Sequence, residues 1–161
     1  MQASEVGEEA VDALVVASRV LVGVAAASLA DAQGVTLPQF RALVVLASRP
    51  GLTVTELGDA LGIHSSTATR LCDRLVAKKL VRRAHRAEDR RVVELRLAAG
   101  GRRLVEAVTA RRRAAIRSNA ARLPPSVLDS TVASLQAFAE AAGEPAGDDL
   151  FGWQLVTAVE R

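Results

Sequence analysis

The residues with the clearest chemical content stand near the middle of the chain. Ser65, Ser66 and Thr67 follow a Gly62-Ile63 turn, and Thr69, Arg70 and Arg74 come after them at helical spacing. Hydroxyls on the first turn of a helix can hold phosphate, together with unpaired backbone N–H groups and the positive end of the helix dipole. An arginine on the next turn presents a planar fork that pairs bidentately with guanine. Ala68, Leu71, Cys72 and Leu75 fall on the opposite side and read as a buried face. Ordinary capping of a solvated helix is the plain alternative for these polar residues, and the helix alone does not decide between the two.

A second group lies a short distance on, in the run Arg86-Ala87-Glu88-Asp89-Arg90-Arg91. Arginines at the tip of a hairpin can enter a narrow minor groove. Charge supports a polyanion-binding role. Residues 1–63 carry three basic and seven acidic groups, residues 64–122 carry seventeen and five, and residues 123–161 carry one and six. A net charge of +3 therefore hides a strongly basic centre between two acidic flanks, which is the footprint of a nucleic-acid-binding face. Arg82, Arg83 and Arg96 belong to the same block without an assigned partner. Arg111, Arg112 and Arg113 splay at about 100° each around a helix, so they cannot share one ligand; they read as solvated or interface residues.

Other chemistries find little support. There is no nucleophile–base pair and no Gly-rich phosphate loop, so the chain reads as a non-enzyme that needs no cofactor. One cysteine excludes an intramolecular disulfide and a cysteine cluster, and fits a reducing cytoplasm. Cys72 occupies an apolar slot and reads as a small buried hydrophobe rather than a redox sensor. His64 and His85 alone do not make a metal site. The apolar stretch Ala13 to Ala30 approaches membrane-spanning length, but central Arg19 costs about 2.5–3.5 kcal/mol on insertion. Glu5, Glu8, Glu9 and Asp12 precede it where a signal peptide needs basic residues. No membrane partner is expected.

These residues need elements to hold them. A long helix is expected over 4–32, capped by Ser4, with Val11, Leu14, Val15, Leu21, Val22, Ala25 and Leu29 in one stripe and Val16, Val20 and Val24 extending it. A helix apolar on most sides is deeply buried, and in a chain of this size a second copy is the natural cover. Thr36 with Gln39, and Thr53 with Glu56, form two capping boxes. The second opens a short helix that ends at Gly62, and Ser65 or Ser66 caps the next, through about Lys78. Two short helices around a glycine turn are a helix-turn-helix. Leu80 to Arg86 is extended, and Val93, Leu95 and Leu97 alternate with Glu94 and Arg96, so a β-hairpin follows. Gly100-Gly101 leads to a helix over about 102–122. Pro124-Pro125 starts another, with Val127, Leu128, Val132, Leu135 and Phe138 inward and Gly143 at its end. A polar loop and a tail from Leu150, carrying Phe151 and Trp153, complete the chain.

The run from Leu52 to Ile63, then Ser66 to Leu75, then Glu88-Asp89-Arg90-Arg91 and Leu97-Ala98-Ala99-Gly100, resembles the MarR family of bacterial regulators. The resemblance follows helix order over 4–142 and is most specific over 52–100. Ala98 stands where the family has a capping Thr, Lys79 where a Gly is common, and Ala87 where a Pro is frequent. The resemblance implies a mainly α fold with a small β-wing: a winged helix-turn-helix over 36–100, flanked by dimerisation helices over 4–34 and 102–142, with a tail over 143–161. It implies a homodimer that binds double-stranded DNA and answers to a small-molecule effector, most simply as a repressor. Ser65, Ser66, Thr67, Thr69, Arg70 and Arg74 would then face the major groove. Arg86, Arg90 and Arg91 would form the wing contacts, with Asp89 orienting an arginine side chain. A winged helix used only for protein assembly is the alternative.

Overall fold

Thr36 and Thr53 open their helices in the same way. Thr36 Oγ1 accepts from the Gln39 backbone N–H at 3.4 Å while Gln39 Oε1 accepts from Thr36 N–H at 3.3 Å. The Thr53–Glu56 pair repeats this at 3.2 and 2.7 Å. Each box satisfies two donors that a helix start leaves unpaired. They begin α2 (Leu37–Ser48) and α3 (Val54–Leu61), both as expected. Gly62 ends α3 in the left-handed conformation at φ 65°, which permits the sharp turn into α4 (Ser65–Ala77). Gly58 lets α3 approach α4 closely, since a Cβ there would meet the Ala68 Cβ at 3.1 Å.

The computed structural model describes residues 6–32 and 34–142. Gln33, Gly143 and the tail with Phe151 and Trp153 lie outside the described residues, as does Ser4, the expected cap of the first helix, whose cap residue is Gly7 instead. Within them α1 (Glu8–Leu29) comes first, with acidic Glu8 and Glu9 in its first turn. After α4 come β1 (Val81–His85) and β2 (Val93–Leu97), paired antiparallel from Val81–Leu97 to His85–Val93. Then follow α5 (Ala99–Ala120) and α6 (Pro125–Ala141). The fold is a mostly helical winged helix, as the sequence implies. Gly100 and Gly101 lie inside the first turn of α5 rather than before it. Gly101 is required there, because a Cβ would sit 2.1 Å from the Leu80 carbonyl oxygen.

The core joins α2, α3, α4, the wing and α5. Phe40, Leu43, Leu46, Leu57, Leu75, Leu95, Val105 and Val108 are its largest buried side chains apart from Cys72. Arg111 and Arg112, read from the sequence as solvated or interface residues, are half-buried in the single chain. Arg111 Nε donates to the Ser28 carbonyl at 3.0 Å, tying α5 to α1, and the Arg112 guanidinium lies 5.9 Å from the Phe40 ring centroid. Long apolar stems allow such side chains to pack while their heads find an acceptor or a π face.

The apolar faces of the two outer helices are open in the single chain. Val127, Val132, Leu135 and Phe138 of α6 are exposed, and α6 buries no residue at all. Along α1, Val11, Leu14, Val15, Val16, Val20, Leu21 and Val22 are also exposed. One chain offers too little surface to cover these faces. By length and composition alone α1 could cross a membrane, with a mean hydropathy of 1.9 over its most apolar window. A core or interface helix meets the same description.

Candidate nucleic-acid interface

The buried side of α4 is Ala68, Cys72 and Leu75, so its other side is set outward. Ser65, Ser66, Thr67, Thr69, Arg70 and Arg74 are all exposed, spread around the part of the helix surface away from that buried side. His64, not Ser65 or Ser66, is the cap residue, and its side chain makes no capping bond. The His64 carbonyl accepts from Thr67 and Ala68 N–H, both at 2.9 Å. Ser65 and Ser66 therefore occupy the first helical turn, where backbone N–H groups have no intrahelical acceptor. Thr69 Oγ1 donates back to the Ser65 carbonyl at 2.9 Å, which leaves its oxygen as an acceptor outward. Arg70 and Arg74 border a cleft of about 240 Å³ with Thr36 and Gln39 at the start of α2.

The wing carries the second set. Arg90 and Arg91 are exposed at the hairpin tip. Asp89 orders this tip through the backbone, not through an arginine side chain: its Oδ1 accepts from the Arg91 N–H at 2.9 Å. His85 Nδ1 lies 2.7 Å from the Arg90 carbonyl, and since a carbonyl only accepts, Nδ1 is the donor. Asp89, Arg90 and His85 thus brace one turn.

Arg86 differs from the other two wing arginines. Its guanidinium turns inward, donating from Nη2 to the Gly51 carbonyl at 3.2 Å and lying 3.6 Å from Glu94 Oε2. Glu94 is only 3 % exposed and also pairs with Arg96 at 2.5 Å. Backbone bonds reinforce this anchor, from Leu95 N–H to the Leu52 carbonyl at 2.7 Å and from Gly51 N–H to the Leu95 carbonyl at 3.3 Å. Strand alternation places Glu94 opposite Leu95 and so predicts one buried and one exposed. Both are buried, because Glu94 faces the α2–α3 turn and finds two guanidinium groups there. Gly51 makes room for it, with φ 87° and a Cβ position 3.0 Å from Glu94 Oε2.

A further pair that sequence reading missed joins α4 to the wing, Arg83 Nη2 to Asp73 Oδ1 at 2.6 Å. The cap at Thr53 holds the Glu56 carboxyl below the ordinary glutamate range, first through the Thr53 N–H and then through its hydroxyl. Burial pushes the Cys72 thiol up, with Arg83 opposing and Asp73 adding to the shift. The thiol is fully buried, as expected of a packing residue. Among the described residues no group of three or more His, Cys, Asp and Glu is arranged to hold a metal ion.

An exposed polar helix beside an arginine-tipped hairpin defines a winged helix-turn-helix protein. The family model described as MarR family matches residues 33–92. The crystal structure of RV1404 from Mycobacterium tuberculosis is similar at 36% identity and a TM-score of 0.82, covering 89% of this chain and 99% of that one. A MarR family protein from Bacillus stearothermophilus is 26% identical, with a TM-score of 0.74, covering 86% of this chain and 99% of its own. The HTH-type transcriptional repressor MdtR of Bacillus subtilis is 37% identical over 84 residues, which is 52% of this chain and 54% of MdtR. The chain spans about half the length of the first two curated relatives it matches. It belongs to the MarR family of winged-helix transcriptional regulators.

Proposed function

We propose that this protein is a sequence-specific regulator that binds a pseudo-palindromic operator as a homodimer. One observation carries the reading: α4 carries Ser65, Ser66, Thr67, Thr69, Arg70 and Arg74 on its exposed side, while Arg90 and Arg91 are exposed at the tip of a wing whose root is anchored through Arg86 and Glu94. In this reading the first turn of α4 grips phosphate, Arg70 reads a base edge in the major groove, and Arg74 meets base or phosphate. Arg90 and Arg91 enter the flanking minor groove. Asp89 orders the tip, and Arg86 sets the wing rather than meeting DNA directly.

The dimer reading is supported by the uncovered apolar faces of α1 and α6, with Ile116 of α5 beside them. Soluble monomers rarely leave apolar surface of this extent open. On this account the residues of 4–34 and 102–142 form the interface, and 36–100 form the DNA lobe. Repression is favoured by the name of MdtR, and membership of the family supports a cytoplasmic location and a small-molecule effector. The test is an anisotropy titration on DNA upstream of the protein's own gene, against a random duplex, at about 150 mM salt. The expected Kd is about 10 nM or tighter on the operator, and at least about a thousandfold weaker on the random duplex. Equal affinity for both would reject the reading and favour an assembly role for the winged helix.

A further inference from the structure

Glu94 is a buried carboxylate at the root of the wing, inside a block rich in arginine. Of the five acidic residues between 64 and 122, Asp73, Glu88, Asp89 and Glu106 are exposed and Glu94 alone is buried. Its two oxygens are divided between two cations. Oε1 lies 2.5 Å from Arg96 Nε, and Oε2 lies 3.6 Å from Arg86 Nε. Glu56 adds a second carboxylate 4.0 Å from Arg86. Both arginines still reach solvent, with side chains 36 % and 47 % exposed. They stand at the surface, yet their charge is already answered. Arg82, Arg90 and Arg91, also on the wing, form no ion pair among the described residues.

Stability is a poor reason for this arrangement. Taking a carboxylate out of water is costly, and an apolar residue of similar size commonly serves a buried position as well or better. Buried Val81 and Leu95, with the bridge from Leu95 to Leu52, already anchor the root without charge. What a carboxylate does that a leucine cannot is neutralise Arg86 and Arg96. Binding to arbitrary DNA sequence grows with the number of phosphates that cations neutralise, and specificity is the ratio of operator to random affinity. We propose that Glu94 is a specificity-determining residue, which withholds Arg86 and Arg96 from the phosphates of non-operator DNA. On a random duplex the protein sits in any register, so a released guanidinium finds a phosphate. On the operator the base contacts fix the register, and a released guanidinium gains only where a phosphate happens to stand. The inference rests on the reading of the winged helix as a DNA-binding element.

The experiment compares the full chain with Glu94→Gln by anisotropy, on the upstream operator DNA and on a random duplex, from about 100 to 300 mM salt. Glutamine keeps the size of the side chain and removes its charge. At about 150 mM salt the random-duplex affinity should rise about fivefold or more, and the slope of log K against log salt should steepen by about one to two. The ratio of operator to random affinity should fall at least about threefold. Adding Arg86→Gln and Arg96→Gln to Glu94→Gln should return the slope to that of the parent, and circular dichroism checks each fold. Should Glu94→Gln unfold the chain, the parent alone decides. On saturation with the random duplex, the Nε–H resonances of Arg86 and Arg96 should stay in place while those of Arg90 and Arg91 shift. A purely structural Glu94 would instead lower affinity for both duplexes when replaced. That loss, an unchanged slope in folded Glu94→Gln, a slope that the added changes fail to restore, or shifts at Arg86 and Arg96 as large as those at Arg90 and Arg91 would each overturn this inference alone, with the parent still discriminating between the duplexes. A parent that binds neither duplex, or both equally, would overturn the operator reading and this one together.

Discussion

Arg70 and Arg91 probe different grooves in the proposed complex, so their losses should differ in kind. Arg70→Ala should cost about 1–3 kcal/mol on the operator and relax preference at one base position. Binding to each operator variant measures this, and equal loss on operator and random DNA would contradict a base contact. Arg91→Ala should weaken binding more uniformly and reduce the slope of log K against log salt by about one counterion. An unchanged slope would remove Arg91 from the DNA. The exposed residues of α4 were legible in the sequence because their buried counterparts, Ala68, Cys72 and Leu75, recur at helical spacing. The fate of Arg86 was not. Its partners are Gly51 and Glu94, 35 positions before and eight after it in the chain, and spacing within one hairpin carries no trace of the first.

Among the elements, α5 begins with a weak point. Ala98 is its cap residue and has no side chain able to accept from the first turn. Ala98→Thr should stabilise the protein by about 1 kcal/mol, read as a raised midpoint in chemical denaturation. The neighbouring Gly101→Ala should act in the opposite sense, losing at least about 2 kcal/mol, because its Cβ would overlap the Leu80 carbonyl and neither backbone can easily retreat. A variant as stable as the parent would show that α5 can slide. The capping boxes of α2 and α3, the Gly62 turn and the hairpin were all legible, since each is a local rule. The role of Gly101 was not, because it depends on a carbonyl from a different element. Lys79 stands where the family commonly has Gly, and its φ of 56° gives the reason, since that backbone favours glycine. The burial of Glu94 escaped for the converse reason, as a local period of two was overridden by two arginines and a glycine turn.

Across the whole molecule, the uncovered side chains of α1 and α6 ask for a partner, and the sequence pointed to one from the apolar girth of the first helix. The apolar residues of α6, read from the sequence as turned inward, find no cover within the chain. Phe138, at 53 % exposure, is a sensitive place to ask: Phe138→Asp should shift the protein from dimer toward monomer at micromolar concentration while leaving the winged-helix core folded. Light scattering during size-exclusion chromatography reads the mass directly, and a parent that is monomeric throughout would reject the homodimer. The buried Glu94 clamp has a consequence at this scale too. Arg86, Arg96, Gly51 and Leu52 hold the wing root to the body of the lobe, and Asp73–Arg83 holds it to α4. In the proposed complex the major- and minor-groove contacts therefore act like the two jaws of a preset caliper. The protein does not adjust the gap, so the duplex must, and flexible steps between the two contacts become favoured operator letters that no side chain touches.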